Sequence, residues 1–588
     1  MKSQISKQFG QALSPQHKAL FVAISLTPIW LALLFFRFFL EEKGMNVFWN
    51  DNFDSRLILW IFERNYLSLT NLPLSEFWNA NQFYPTQGSL AFSDSIIAGQ
   101  IIYLPMRLAG FSPLESLYIT FFVIIFISTY LIVLIGNSII SLRIFEWLIF
   151  CFICQLSLTT TNFLNHYQLF AFQLAPAFFL LVYSTLINFT GRKLVGLTVL
   201  FIAISSFATY FAPMSVAIGL IIIVSTAFRD RQMVIISAKK LMANPKALLI
   251  STILLGVFFY IQLLPYVEIL KDLPRQNMAE TKVYSAKLLS LFNAPSPASE
   301  IYKASVINGY WEYSYFPGFV ILFGAILGIL CTLNQNQGRY EFISYFMLVM
   351  SCAALILSFG PYFEASLFGS SITVPLPFYL ITKIVPGFEN IRAPGRFGSF
   401  LSLPLAYFFI VGLRSLHLKK YSNFLLVTAL ALLIYDSRIT ANIFPNKPVD
   451  NESFYNQARH IIEYRDPTLI LPLHKPSHIE TILGYINQLH ISNETGAWVV
   501  AGYGAKSTDI LGRYTSLSRE LMNKKTSLND VFCQAREDGI INIIVDLKPF
   551  LIERTGQNIC GFKVALNVGN LVLYRIDDKA KDGLNKPG

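Results

Sequence analysis

Ser95-Ile96-Ile97-Ala98-Gly99-Gln100-Ile101-Ile102-Tyr103-Leu104-Pro105-Met106-Arg107-Leu108-Ala109-Gly110 is the stretch that decides how this chain is threaded. It is apolar, but it is short and carries Pro105 and Arg107. A helix that crosses a bilayer needs about twenty mostly apolar residues. Eleven other apolar runs come near that length, at about residues 18–40, 114–138, 144–160, 167–189, 194–211, 213–228, 246–270, 316–334, 341–361, 396–413 and 421–440. Leaving residues 95–110 out gives eleven crossings. Counting them in gives a twelfth and returns the tail to the side of the N-terminus.

Charge weighs between the two. Short loops that carry Lys and Arg stay in the cytoplasm. Here they are the N-terminal segment with Lys2, Lys7 and Lys18, then Arg143, the pair Arg192 and Lys193, the loop from Arg229 to Lys246, Arg339, and Arg414 to Lys420. All fall on one side only if residues 95–110 do not cross. That stretch is therefore expected as a juxtamembrane or re-entrant helix on the outer side, with the N-terminus cytoplasmic and the tail extracytoplasmic. The alternative is a twelfth span and a cytoplasmic tail.

Composition agrees with a bilayer as solvent. Hydrophobic residues are 54% of the 588 and charged residues only 14%, too apolar a balance for one soluble core. The formal charge of +11 does not point to nucleic acid, because the basic residues punctuate apolar runs instead of forming one patch. Six cysteines are too few and too scattered for a disulfide scaffold. Cys151, Cys154, Cys331 and Cys352 fall inside apolar runs and read as packing residues. Cys533 and Cys560 lie in the tail, where an oxidising compartment would allow a bridge. No cleavable signal peptide is evident, since the first apolar run is long enough to span.

The expected fold is thus an α-helical polytopic membrane protein with about 11 transmembrane helices over residues 1–441. A small C-terminal α/β soluble domain follows over 442–588. In the tail, the amphipathic run Phe454 to Tyr464 alternates with β-type runs at Thr468 to Leu473, Ile541 to Leu547 and Asn570 to Ile576. Substantial polar sequence collects in a first outer loop (41–112), a loop at about 271–314 and the region from Pro361 to Pro394. Chemistry is expected there, because loops on a rigid scaffold carry function.

The first loop opens Phe48-Trp49-Asn50-Asp51-Asn52-Phe53-Asp54-Ser55-Arg56. On a helix, Asp51 and Asp54 share a face. Such acids deprotonate an acceptor hydroxyl, or together hold a divalent cation against a phosphate leaving group. The plain alternative is a capped helix start. Further on come Asn79-Ala80-Asn81-Gln82-Phe83-Tyr84-Pro85 and Leu90-Ala91-Phe92-Ser93-Asp94, leading into residues 95–110.

An acidic pair after the first span, an aromatic and proline-containing loop, and a juxtamembrane helix resemble the opening of the GT-C superfamily of membrane glycosyltransferases. The resemblance covers about the first 440 residues in architecture. It implies an enzyme of the cytoplasmic (inner) membrane that takes sugar from a polyprenyl-phosphate donor on the outer face. It also implies that Asp51 or Asp54 is the catalytic base or a metal ligand, with a divalent cation such as Mg or Mn as possible cofactor. Asp94 joins the substrate-binding candidates. The tail contains no W-W-D-like motif, which weighs against protein N-glycosylation.

Other residues are candidates for binding the donor. In Asn165-His166-Tyr167-Gln168-Leu169, with Gln173, a His and a Gln at the start of a span either line a polar cavity or sit at the headgroups. In Pro386-Gly387-Phe388-Glu389-Asn390-Ile391-Arg392-Ala393-Pro394-Gly395-Arg396-Phe397, two arginines four apart lie at an outer mouth, against the usual inside bias. Guanidinium forks suit a carrier phosphate; the alternative is snorkelling, or pairing with Glu389 or Glu364. Lys282, Tyr284 and Lys287, followed by Tyr310 to Pro317, are read as a flap over a donor site or as a connector.

The expected function is inverting glycosyl transfer to an extracytoplasmic glycan, lipid or protein acceptor. The alternatives are a transporter or flippase of lipid-linked glycans, or a non-catalytic envelope assembly factor. Against transport, the mid-span regions lack acidic residues and the halves show no repeat.

Overall fold

The structure is a computed structural model that describes residues 14–40, 47–49, 54–156, 166–272, 278–292, 314–334, 338–367, 370–385, 388–416, 422–436, 443–445, 452–473, 488–493, 495, 497–501, 509–547 and 558–576. Five described helices are long and apolar enough to cross a membrane: Pro113–Gly136, Tyr167–Ile187, Phe211–Arg229, Pro245–Ile269 and Pro394–Ser415. Ile144–Leu156, Phe319–Asn334, Phe342–Ser358 and Phe424–Asp436 are shorter apolar helices. Chain contacts divide the protein into two compact units, one of residues 1–45, 118–262 and 274–443, the other of residues 46–117, 263–273 and 444–588.

The first unit is a helical bundle. Nine of its described helices are labelled α1 (Pro15–Leu40), α2 (Pro113–Gly136, in this unit from Tyr118 on), α3 (Ile144–Leu156), α4 (Gly191–Ser205), α5 (Phe211–Arg229), α6 (Pro245–Phe258), α7 (Phe319–Asn334), α8 (Gly338–Ser358) and α9 (Ser402–Ser415). Helices surrounded by hydrocarbon gain little from apolar burial, so close packing must hold them together. Gly324 and Gly328, one turn apart on α7, meet Gly412 on α9. A Cβ at 328 would fall on the Phe408 carbonyl, and one at 412 on the Gly324 carbonyl.

Polar contacts orient this bundle. Glu146, in the first turn of α3, is buried and accepts from Arg414 Nε at 2.9 Å and Arg414 Nη2 at 2.8 Å. It also accepts from the backbone N–H of Arg143 at 2.7 Å. Lys18 Nζ donates to Asn137 Oδ1 at 3.0 Å. Arg229 lies 4.5 Å over the Tyr345 ring near the start of α8, and Ser237 Oγ donates to the Leu186 carbonyl. The basic segments therefore gather at one end of the unit. α8 and α9 pack side by side in opposite directions, so Ser358 and Pro394 lie toward the other end. Cys151 and Cys154 are buried among apolar neighbours and unbridged.

The second unit is built on a six-stranded sheet. Its strands, in chain order, are β1 (Pro467–Leu471), β2 (Trp498–Val499), β3 (Asn542–Asp546), β4 (Asn558–Ile559), β5 (Phe562–Val568) and β6 (Leu571–Ile576). Their order across the sheet is β2-β1-β3-β6-β5-β4. β1 runs parallel to β2 and β3, whereas β6 is antiparallel to β3 and β5. Helices Asp509–Met522 and Leu528–Glu537 contribute Tyr514, Val531 and Phe532 to its core, where Phe532 meets Phe562 and Tyr574 edge to face. A Cys533–Cys560 disulfide, with Cα atoms 5.2 Å apart, ties the second of these helices to the end of β4.

The first loop belongs to this sheet's core. Residues 81–84 run along β2: Val499 N donates to the Asn81 carbonyl at 3.3 Å, Tyr84 N to the Val499 carbonyl at 3.1 Å, and Phe83 N to the Ala501 carbonyl at 3.2 Å. Phe83 and Phe92 enter the core. A boundary at residue 442 leaves this contribution out.

Residues 95–110 form a 3-10 turn and a nine-residue helix, Gln100–Leu108. At 1.5 Å per residue that helix is about 14 Å long, half of what a bilayer core requires. Arg107 pairs with Glu63 through Nε at 2.7 Å, and the Tyr103 hydroxyl donates to the same carboxylate at 2.6 Å. Glu63 lies on helix Asp54–Asn71, so the arginine is held by protein and not by lipid.

Two outcomes are expected. Gly328→Ala or Gly412→Ala should lower the melting temperature in detergent, since overpacking costs about 1–3 kcal/mol. Gly219→Ala, with open space around its Cα, should not. The second concerns His490, whose Nε2–H donates to the Arg56 carbonyl at 3.1 Å. Burial, reinforced by the Arg56 charge, lowers its pKa from 6.5 to about 4. Between those values the unfolded chain binds a proton that the fold refuses, so stability should fall as pH drops from about 6.5 to about 4 and level off below. Thermal unfolding at pH 7 and pH 5 should show a smaller difference for His490→Gln than for the natural protein.

Candidate functional site

The first unit collects one cluster of candidates at the end away from its basic segments. A 3-10 helix, Pro394–Leu401, runs directly into α9, with Pro394 setting φ at its start. Arg396 on this helix is only 6% exposed, and its guanidinium lies 4.8 Å over the Tyr210 ring, just before α5. Arg392 precedes the helix and is 40% exposed. Its guanidinium lies 4.9 Å over the Tyr284 ring, and its Nη1 is 3.7 Å from Glu280 Oε1. Stacking on an aromatic face holds a cation while leaving in-plane N–H donors available to an anion.

Arg392 and Arg396 thus lie over different rings. Each rests on its own tyrosine. The acid beside Arg392 is Glu280, which spacing in the sequence does not reveal.

Residues 278–292 are fastened to this segment. Gly395 N donates to the Tyr284 carbonyl at 3.0 Å, the Tyr315 hydroxyl donates to the Gly395 carbonyl, and Ala286 N donates to the Ser358 carbonyl at 2.8 Å. Gly360, at φ +73°, leaves room for Ser285, which any Cβ there would strike. These bonds join the described residues 278–292 to the Pro394–Leu401 segment and the end of α8. Lys282, on the short helix Met278–Val283, is exposed.

His166 and Gln168 lie on the segment that packs against Pro394–Leu401. His166 is the N-cap of the 3-10 helix Tyr167–Leu174, and both residues are buried. Phe172 stacks on Phe400 at 5.7 Å, and Phe211 meets both rings. Gln168 Oε1 is buried without a hydrogen-bond partner among the described residues, an acceptor suited to a hydroxyl. Gln173 Nε2 donates to the Gln155 carbonyl, and the Gln155 side chain accepts from Thr129 Oγ1 at 2.8 Å. Gln155 escaped the sequence reading. Its only signal was one amide inside an apolar run.

The acidic candidates belong to the second unit. Asp51 lies outside the described residues. Asp54 is the first residue of helix Asp54–Asn71 and half-buried, where a carboxylate is favoured by the helix dipole. Asp94 is buried at 6% exposure in a turn clasped by Tyr266, whose hydroxyl donates to the Ser93 carbonyl at 2.9 Å and accepts from Ser95 N at 2.8 Å. Asn65 holds the Ser95 carbonyl at 2.7 Å. Asn65 stands three turns along the helix from Asp54, about 16 Å of rise. Among the described residues no three His, Cys, Asp or Glu side chains form a metal-binding group.

A helical bundle with five described helices long and apolar enough to cross a membrane defines the protein as a multi-pass membrane protein. Residues 25–438 match the family described as a domain of unknown function, DUF6311, and the chain belongs to that family. No curated protein matches it. Among solved structures it resembles the arabinofuranosyltransferase AftD from Mycobacteria, seen by single-particle cryo-EM, with a TM-score of 0.54 at 10% identity over 96% of this chain. The chain spans 40% of that protein's length, and at this identity the likeness is one of fold. The archaeal oligosaccharyltransferase AglB from Archaeoglobus fulgidus, in complex with an inhibitory peptide and a dolichol-phosphate, aligns with a TM-score of 0.46 at 12% identity, over 90% of this chain and 69% of that one.

If Tyr210 carries the Arg396 guanidinium, Tyr210→Leu should lower the melting temperature in detergent by the equivalent of about 1–2 kcal/mol. Tyr210→Phe, which keeps a ring face, should retain most of the difference.

Proposed function

We propose that this protein is a membrane glycosyltransferase that moves a sugar from a polyprenyl-phosphate donor to an extracytoplasmic glycan, lipid or protein acceptor, with inversion at the anomeric carbon. The observation that carries the reading is Arg392, a half-exposed guanidinium seated on Tyr284 at the mouth of the Pro394–Ser415 helix. Donors fixed before the reaction stabilise charge that develops during it, without reorganisation at the moment of transfer.

In this proposal the chain makes eleven crossings of the cytoplasmic membrane, with its basic segments inside and residues 442–588 outside. The Cys533–Cys560 disulfide supports an oxidising compartment for the tail. The acceptor hydroxyl attacks the anomeric carbon, and its proton passes to the carboxylate of Asp51 or Asp54, the role implied by the GT-C likeness. The bond from that carbon to the phosphate oxygen breaks, and the electron pair leaves with the phosphate. Arg392 takes up the resulting charge. Arg396 is a positioning residue that sets the mouth of the helix, and Gln168 accepts from a sugar hydroxyl.

Membranes holding the protein, supplied with radiolabelled polyprenyl-phosphate sugars and an envelope extract as acceptor, test this. Arg392→Ala should reduce transfer by about a hundredfold, with Arg392→Lys recovering part of it, and Asp51→Asn with Asp54→Asn should abolish it. Full turnover in the aspartate double variant removes those residues from the reaction. Movement of lipid-linked sugar across liposomes without transfer replaces the enzyme by a flippase.

A further inference from the structure

At the basic end of the first unit, a cavity of about 610 Å³ opens between the beginnings of α4 and α6. Arg192, Asn244 and Lys246 line its polar side, and Val195, Ala247 and Ile250 its apolar side. Both helices start here: Gly191 opens α4 after the N-cap Thr190, and Pro245 opens α6 after Asn244. Two helix starts bring unsatisfied N–H groups and the positive ends of two dipoles to one place.

The cations are not neutralised. Between residues 188 and 250 the only acid is Asp230, and its carboxylate caps helix Arg231–Met242 by accepting from Met233 N at 3.0 Å. Neighbouring Lys193 is spent on the Ser184 and Asn188 carbonyls, at 3.0 and 2.8 Å. Arg192 and Lys246 are exposed and make no ion pair among the described residues.

Below the cavity the surface becomes apolar. Val195 continues to exposed Val199 one turn on, and Ile250 continues along the same face to exposed Ile253 and Val257. A cationic mouth above an apolar groove, on helices of spanning composition, matches an amphiphile with an anionic head.

We infer that this cavity binds the phosphate headgroup of an anionic glycerophospholipid, with an acyl chain along the groove between α4 and α6. The site is separate from the glycosyl-transfer reading and stands or falls without it. The occupant is a bilayer lipid, because the groove below the cations offers a free phosphate nothing to bind.

Native mass spectrometry of the purified full chain, titrated with phosphatidylglycerol, phosphatidylcholine or inorganic phosphate, tests it. Each cation near a headgroup contributes about fivefold in affinity, so Arg192→Ala with Lys246→Ala should weaken phosphatidylglycerol binding about 30-fold. Arg519→Ala with Lys525→Ala, a charge-matched change in the second unit, should leave it unchanged. Ile253→Asn should weaken the lipid and not inorganic phosphate. Both substituted surfaces are exposed, so an unchanged melting temperature accompanies the expected result. Equal phosphatidylglycerol binding in the Arg192 and Lys246 double variant overturns the site. So does phosphatidylcholine bound as tightly as phosphatidylglycerol, or inorganic phosphate that competes with the lipid at equal concentration.

Discussion

One carboxylate fastens the short helix of residues 100–108 to its neighbour. Glu63 accepts from the Tyr103 hydroxyl and the Arg107 guanidinium, and so binds helix Gln100–Leu108 to helix Asp54–Asn71. A lone arginine in hydrocarbon costs several kcal/mol or drags water and headgroups inward. Paired with Glu63 and lying over the Tyr66 ring at 5.1 Å, Arg107 needs neither. The stretch that carries it is therefore a short amphipathic helix, with Gln100 and Tyr103 buried against protein and Ile101 and Leu108 exposed.

The same rule recurs throughout the first unit. Arg414 is matched to Glu146, Arg229 to the face of Tyr345, Arg392 to Tyr284 and Glu280, and Arg396 to Tyr210. Pairing with a carboxylate neutralises a guanidinium. Stacking on a ring only steadies it. At the end of the unit with the candidate site, Arg392 rests on Tyr284 beside Glu280, and Arg396 rests on Tyr210. At the opposite end, Arg414 is matched to a buried carboxylate and serves to join α3 to α9.

The second unit shows how a loop becomes core. Residues 81–84 satisfy the open edge of β2 with backbone hydrogen bonds, and Phe83 and Phe92 fill space against the sheet. An exposed strand edge invites pairing with other chains, and covering it removes that hazard. Arg465 reinforces the junction, with its guanidinium 4.0 Å over Trp498 and Nη1 at 2.7 Å from Glu76.

Much of this was legible in the residues. Apolar run length and the placement of Lys and Arg are one-dimensional quantities set by bilayer thickness and insertion, so the membrane class and the short character of residues 95–110 could be read directly. The β-type runs at 468–473, 541–547 and 570–576 coincide with β1, β3 and β6, because alternation along a strand is also local. Partners distant in the chain were not legible. Glu280 beside Arg392, Tyr210 beneath Arg396, Gln155 between Thr129 and Gln173, and residues 81–84 along β2 are joined by packing across tens to hundreds of residues. Sequence by itself determined which segments seek lipid and which seek water, since each residue carries its own transfer free energy. Only the tertiary structure decided which charges meet, because that depends on helix crossings that no local pattern encodes.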